Sequence, residues 1–99
     1  MALLKSKSDK RKQAAALKYD PQSNEAPIIS ALGVGPIAEK IIEAAEENDI
    51  PVVENEALSD VLQTLSVGDA IPPQLYEAVA QILVFISRKD SEYYKNMRF

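Results

Sequence analysis

The fold is decided by residues 27–55, PIISALGVGPIAEKIIEAAEENDIPVVEN, which are predicted to form one β-α-β unit. Residues 27–32 are a short run rich in β-branched side chains, as expected of a strand. Residues 33–36, GVGP, combine glycines that permit a tight turn with a proline that suits the first turn of a helix. Residues 50–53, IPVV, start a second strand. Because a helical crossover joins parallel strands, we expect a parallel arrangement with a right-handed connection.

The segment between the two strands has the period of an amphipathic helix. Its apolar residues recur at i, i+3, i+4 and i+7, which predicts one buried stripe. The stripe consists of Val34, Ile37, Ala38, Ile41, Ile42 and Ala45. Acidic residues occupy the opposite face, and Asn48-Asp49 is predicted to end the helix. Such a unit cannot bury its sheet alone, so the remaining segments must cover it.

The flanking segments supply the other elements of the predicted fold. Residues 14–20 are predicted to be a strand rather than a helix, because the β-α-β unit needs a neighbour. Asn55 can cap a short helix that carries Leu58, Val61, Leu62 and Leu65. A last helix over residues 73–88 has a core stripe of Leu75, Val79, Ile82 and Ile86. We therefore predict an α/β fold with a small mixed sheet of about three strands, surrounded by helices.

The composition excludes several classes of enzyme. The 99 residues suit one domain with a modest core, and they include no cysteine and no histidine. Thiolate nucleophiles, disulfides and the usual Ser-His and zinc hydrolase sites are therefore absent. Residues 33–35, GVG, lack the further residues of a dinucleotide or Walker loop and indicate a turn. We expect no catalytic residue, no metal and no cofactor.

The charge is unevenly distributed along the chain. Residues 1–12 carry a formal charge of +4, and the other residues carry −8, within a total of −4. We predict a basic flexible tail over residues 1–12, a domain over 13–89, and a C-terminal tail or helix extension over 90–99. Two interpretations of the basic tail stay open, a solvated terminus and a contact with an anionic membrane surface. The acidic body argues against a nucleic-acid partner.

No run of residues has the apolar length of a secretory signal or a membrane span. We therefore expect a cytoplasmic monomer, with a peripheral position at the inner face of the cell membrane as an open alternative. The last helix also carries more apolar surface than one stripe needs. That surplus indicates either packing between two elements or a small exposed patch for a partner.

Several stretches in a fixed order resemble the cytoplasmic C-terminal domain of the FlhB family, the export switch proteins of flagellar and type III secretion. Each stretch is short, and the ordered set covers nearly the whole predicted domain. The matching stretches are ALKYD at 16–20, Ala26-Pro27, Gly33, Ile41, EEN at 46–48, IPVVEN at 50–55, GDAIP at 68–72 and LYEAVA at 75–80.

The resemblance implies an interaction module rather than an enzyme. In the family the domain is the cytoplasmic tail of a membrane protein and helps switch export from rod and hook subunits to filament subunits. The implied partners are membrane components of the export apparatus and export substrates. The implied docking surface for early substrates is apolar and falls on Ala26, Pro27, Ala80 and Leu83.

The chain departs from the family at the self-cleavage loop. There the family has Asn-Pro-Thr-His, and the asparagine side-chain nitrogen attacks its own backbone carbonyl and expels the proline nitrogen. The four corresponding positions are Asp9, Lys10, Arg11 and Lys12. An aspartate has no amide nitrogen for this attack, so we expect a degenerate loop without self-cleavage.

The same comparison leaves only eight residues for the strand that precedes the loop in the family, and we expect that strand to be missing. The edge at residues 14–18 would then either receive a strand from another chain or be blunted by the neighbouring basic residues. We interpret the chain as a stand-alone FlhB-like protein of the export apparatus. The alternative is a cytoplasmic adaptor whose partner lies outside flagellar export.

Overall fold

The sheet is built around a strand that starts at the second residue of the chain. The computed structural model describes residues 2–6, 12–20, 22 and 25–97, with side chains as far as Ile86. In chain order the elements are β1 (Ala2–Lys5), β2 (Gln13–Lys18), β3 (Ile28–Val34), α1 (Pro36–Glu47), β4 (Val52–Glu54), α2 (Glu56–Leu62), a 3-10 turn (Pro73–Leu75) and α3 (Tyr76–Met97).

The four strands form one mixed sheet in the order β3-β2-β1-β4. β1 pairs antiparallel with β2 and parallel with β4, and β2 pairs antiparallel with β3. The predicted α/β fold with a β-α-β unit is confirmed, with four strands in place of about three. β3 and β4 are parallel as predicted, and they lie at opposite edges of the sheet with β2 and β1 between them.

The expectation of a flexible tail over residues 1–12 is wrong for Ala2–Lys5, and the family's first strand is not missing. Leu3 and Leu4 are at most 1% exposed. A central strand that is buried on both faces appears as a short unbroken apolar run without alternation, and four residues suffice for it. β1 also occupies the edge of β2 that we expected to be open, so no second chain is needed there. Residues 7–11 lie outside the described residues.

Alternating residues of the sheet supply two separate cores. Leu4 faces the cluster formed with α2 and α3, which also contains Leu17, Leu62 and Val79. Leu3 faces a second cluster with α1, in which the small side chains are Ala14, Ala16, Ala38 and Ala45. The alanines on both sides of this second interface let α1 pack close to the sheet.

Helix α1 crosses the sheet from one edge to the other and contacts all four strands. It begins directly after β3 because Gly35 adopts a φ of 61°, a left-handed conformation that favours glycine. Gly33 lies beneath the first turn of the helix, where a Cβ atom would come within 2.6 Å of the Ile37 side chain. The predicted stripe is correct at Ala38 and Ala45, whereas Val34 and Ile37 are more than half exposed at the sheet edge.

The predicted cap and the long helix are also found. The Asn55 side chain accepts a hydrogen bond from the Leu58 backbone N–H at 3.1 Å, as the N-cap of α2. After the 3-10 turn, α3 continues to Met97, so residues 90–97 extend the helix. None of the helices over the described residues has both the length and the apolarity needed to cross a membrane.

A buried polar network fixes α2 against the ends of β1 and β2. The Ser59 hydroxyl, fully buried, donates to the Gln13 side-chain oxygen at 3.2 Å, and Gln63 Nε2 donates to the Ala14 carbonyl at 2.9 Å. The Gln13 N–H donates to Ser6 Oγ at 3.1 Å, and the Ser6 N–H donates to the Gln13 carbonyl at 3.2 Å. These two bonds between Ser6 and Gln13 hold together the two ends of the connection between β1 and β2.

The central position of β1 predicts a large loss of stability when its core side chain is shortened. Leu4→Ala should lower the free energy of unfolding by about 2–5 kcal/mol, because a fully buried leucine leaves a cavity. Val34→Ala, at a 56% exposed position in β3, should change it by about 0.5 kcal/mol or less. Urea denaturation followed by circular dichroism measures both, and equal effects would contradict a buried β1.

Candidate functional site

The four residues predicted to form a docking surface line one cavity. Ala26 and Pro27 precede β3, and Ala80 and Leu83 lie on α3. The cavity has a volume of about 310 Å³. We call it the docking groove, and its other lining residues are Tyr19, Asp20, Glu25, Ile71, Tyr76 and Val79.

The floor of the docking groove is apolar and held by backbone hydrogen bonds. Ile71 and Val79 are 1% and 2% exposed, so they belong to the core as well as to the groove. The Ile71 N–H donates to the Pro27 carbonyl at 2.9 Å, and the Ile29 N–H donates to the Asp69 carbonyl at 2.9 Å. These bonds attach the segment before α3 to the outer edge of β3. The floor is therefore formed before any partner binds.

The rim combines an aromatic ring with two carboxylates. The Tyr76 side chain is about half exposed, and Asp20 and Glu25 are exposed. The Asp20 carboxylate accepts a hydrogen bond from the Gln22 N–H at 2.9 Å, which orders the segment after β2. An apolar floor with an acidic rim suits a polypeptide segment that carries an apolar side chain next to a basic one.

Six lining residues escaped the prediction from sequence, and Tyr19 and Ile71 illustrate why. Tyr19 and Ile71 lie within the ALKYD and GDAIP stretches that carry the family resemblance. Neither has a helical or strand period that would assign it to the same surface as Ala80. Tyr19 directly follows β2, whose last residue pairs with Ile28, and the segment before Ile71 also pairs with Ile28, so both reach the groove through pairing with β3.

Of the four positions that correspond to the cleavage loop, the structure describes Lys12 alone. Its Nζ lies 3.0 Å from the Glu39 carboxylate on α1, and its carbonyl accepts the Gly35 N–H at 2.8 Å. Asp9, Lys10 and Arg11 lie outside the described residues. Lys12 thus ties the start of β2 to the first turn of α1.

Carboxylates occupy the exposed face of α1. In the described part of the chain, no group of three or more acidic side chains converges in a way that could hold a metal ion. Glu39 is instead paired with Lys12. In the docking groove an apolar floor is bordered by carboxylates, and this arrangement suits the recognition of a polypeptide.

The model of the FlhB HrpN YscU SpaS family matches residues 11–86, which include most of the sheet and all of the docking groove. The chain belongs to this family. It is 43% identical over 82 residues to the flagellar biosynthetic protein FlhB of Aquifex aeolicus, and it covers 23% of that protein. It is 40% identical over 79 residues to the uncharacterized protein YlqH of Bacillus subtilis, and it covers 85% of that protein. These matches cover 82% and 80% of this chain.

The solved cytoplasmic domain of FlhB from Shewanella putrefaciens has the same fold. Its TM-score is 0.72 at 34% sequence identity, and the match covers 86% of this chain and 68% of that one. The family resemblance drawn from the sequence is therefore confirmed. Over residues 11–86 the chain has the sequence features of the FlhB family, and the shared fold agrees with this assignment.

The ion pair between Lys12 and Glu39 should contribute little to stability. Both side chains are more than a third exposed, so Glu39→Gln should lower the free energy of unfolding by about 1 kcal/mol or less. The difference should vanish in about 1 M salt, where charges are screened within about 3 Å. Glu43→Gln, one turn later on the helix, is the matched control. A salt-independent loss limited to Glu39→Gln would contradict a screened surface pair.

Proposed function

We propose that this chain is a non-enzymatic interaction module of the flagellar or type III export apparatus, with the docking groove as its binding surface for export substrates. The proposal is carried by one observation: the four residues that the family resemblance implies for substrate docking line a single cavity. Two of them come from the loop before β3 and two from α3, far apart in sequence. Membership of the FlhB family supports the assignment to export.

The size of the docking groove sets the expected affinity. A cavity of about 310 Å³ is at the small end of the range for ligand sites, so it accepts one or two side chains of a peptide. We expect dissociation constants in the micromolar range or weaker, which corresponds to about −8 kcal/mol or less in magnitude. Such weak binding suits a site that export substrates must leave again.

We propose further that the chain does not cleave itself. The sequence contains no Asn-Pro pair and no histidine. Asp9 stands where the attacking asparagine would be, and its side chain has no amide nitrogen. At the last of the four loop positions, the Lys12 ammonium is paired with Glu39. These features support a module whose β1 and β2 stay joined.

The proposed partners are membrane components of the export apparatus, its substrates, or both, and the proposed location is the cytoplasm, with a peripheral position at the inner face of the cell membrane as the alternative. The similarity to a cytoplasmic domain of FlhB supports this location. A contact of the basic residues before β2 with anionic lipid stays a prediction, in which each lysine near the surface contributes about 1 kcal/mol. Lys5 belongs to β1 and is only partly exposed.

The loop residues predict that the purified chain stays intact. Intact-protein mass spectrometry after days at neutral pH should show one species, because Asp9 offers no nitrogen nucleophile. The quadruple variant Asp9→Asn/Lys10→Pro/Arg11→Thr/Lys12→His is the positive control, since it restores the cleavable sequence. Two stoichiometric fragments from the natural chain, broken between Asp9 and Lys10, would refute the proposal.

The docking groove predicts that a charge on its wall removes substrate binding. Peptides from rod and hook subunits should shift the amide resonances of groove residues in NMR spectra, and Leu83→Asp should abolish those shifts. Because Leu83 also packs against the core, Ala80→Asp at an exposed position of the same wall is the second variant.

Val84→Asp is the matched control, because Val84 is 51% exposed on α3 and does not line the groove. It should leave the peptide shifts unchanged. Shifts that map instead to the exposed acidic face of α1, or that persist in both groove variants with a native circular dichroism spectrum, would overturn the assignment.

A further inference from the structure

The outer side of β4 is an open sheet edge. β4 uses alternate residues to pair with β1: the Leu3 N–H donates to the Pro51 carbonyl at 2.9 Å, and the Asn55 N–H donates to the Lys5 carbonyl at 3.0 Å. Since successive residues of an edge strand direct their backbone groups alternately inwards and outwards, Val52 and Glu54 point theirs away from β1. Among the described residues, no group takes up these two N–H and two C=O groups.

A cavity of about 510 Å³ lies along this edge, between the C-terminal turn of α1 and α3. We call it the edge groove. Its lining includes Glu46, Asp49, Val52, Val53, Phe85 and Ile86. It shares no residue with the docking groove.

The two walls of the edge groove differ in chemistry. Val52 belongs to the cluster on the α1 side of the sheet, and Val53 belongs to the cluster on the α3 side. The α1 side carries the carboxylates of Glu46 and Asp49, and Glu54 follows on the same face as Val52 by strand alternation.

The α3 side of the edge groove is apolar. Next to Val53 it presents Phe85, half exposed, and Ile86, partly exposed. No basic side chain lines the cavity in the described part of the chain. An added strand would therefore meet an acidic wall on one face of the sheet and an apolar wall on the other.

From these observations we propose that the edge groove is a strand-addition site for an extended segment of a partner protein that alternates basic and apolar residues. Backbone groups of the segment pair with Val52 and Glu54, which is the usual basis of affinity when a peptide extends a sheet. Its basic side chains face Glu46 and Asp49, and its apolar side chains face Val53, Phe85 and Ile86. This surface goes beyond the proposed docking of substrates in the docking groove.

Charge selects a partner protein over a second copy of this chain. If two copies paired antiparallel through β4, the acidic side of one edge groove, with Glu46, Asp49 and Glu54, would lie against the same carboxylates of the other copy, and like charges at close range oppose pairing. A basic segment reverses the sign of this interaction. The three carboxylates therefore act against self-association at an edge that would otherwise invite it.

The test is a titration of the isotope-labelled chain with the capped peptide Lys-Val-Lys-Val-Lys-Val-Lys, followed by NMR and amide hydrogen exchange. The peptide is added to about 1 mM, the weak end of specific affinities. Resonances of residues 50–54 and 85–86 should shift, and exchange of the Val52 and Glu54 amides should slow by about tenfold at saturation, because these amides then exchange only from the unbound state. Two control peptides are used. One carries glutamate in place of lysine, the other carries N-methyl groups at alternate backbone positions, and neither should bind.

Two triple variants that remove the same number of charges distinguish the effect of the acidic wall on peptide binding from the effect of net charge. Glu46→Gln/Asp49→Asn/Glu54→Gln should weaken binding by about fivefold or more at low salt. Glu43→Gln/Glu47→Gln/Glu77→Gln removes the same number of exposed charges elsewhere and should bind within about twofold of the natural chain. Asparagine is the choice at position 49 because Asp49 has a φ of 56°.

Four results of the peptide titrations would overturn the proposal. These are the absence of binding at the highest peptide concentration, shifts confined to the docking groove, equal binding of the N-methylated peptide, and equal weakening by both triple variants. Protection of Val52 and Glu54 that rises with protein concentration without peptide would identify a second copy as the occupant and would also overturn it.

Discussion

Burial of β1 on both faces is the constraint on which the rest of the structure depends. Leu3 and Leu4 point to opposite sides of the sheet, and each belongs to a different core. Leu3 contributes to the core beneath α1, and Leu4 contributes to the core beneath α2 and α3. A strand of four residues thereby connects every layer of the fold.

The two cores are built differently, and the difference determines where binding surfaces lie. On the α1 side, alanines oppose alanines and bring the helix close to the sheet. On the other side, larger residues such as Leu17, Leu58 and Leu62 fill the core beneath α2 and α3, and the segment before β3 lies beside α3. The docking groove lies at the end of this layer, where Ile71 and Val79 of the core form its floor. Its shape follows from the packing of the core, and its acidic rim comes from exposed loop residues that packing leaves free to vary.

The sequence predicted those parts of the fold that repeat with a period or carry a local signal. The amphipathic period of α1, the Asn55 cap and the turn at Gly35 are each encoded within a few residues, and each is found. The four groove residues were placed by family resemblance, and the fold brings them together.

The failures had long-range causes. β1 is too short to show a period, and its charged neighbours suggested a tail, whereas its stability comes from partners on β2 and β4. Val34 and Ile37 fit the helical stripe, but both are more than half exposed, Val34 as the last residue of the edge strand β3 and Ile37 in the first turn of α1. Tyr19 and Ile71 reach the groove only through pairing between distant segments.

The pairing of β1 with β4 has a consequence for the order in which the chain folds as it leaves the ribosome. β1, β2 and β3 form an antiparallel meander of neighbours, whose contacts are local and become available early in synthesis. Leu3 meets Val52 only after the whole crossover helix has been made. Until then the nascent sheet exposes the unpaired side of β1, which is its most apolar strand. Arrival of β4 converts an aggregation-prone edge into an acidic one, and the last strand to join the sheet therefore also completes its protection.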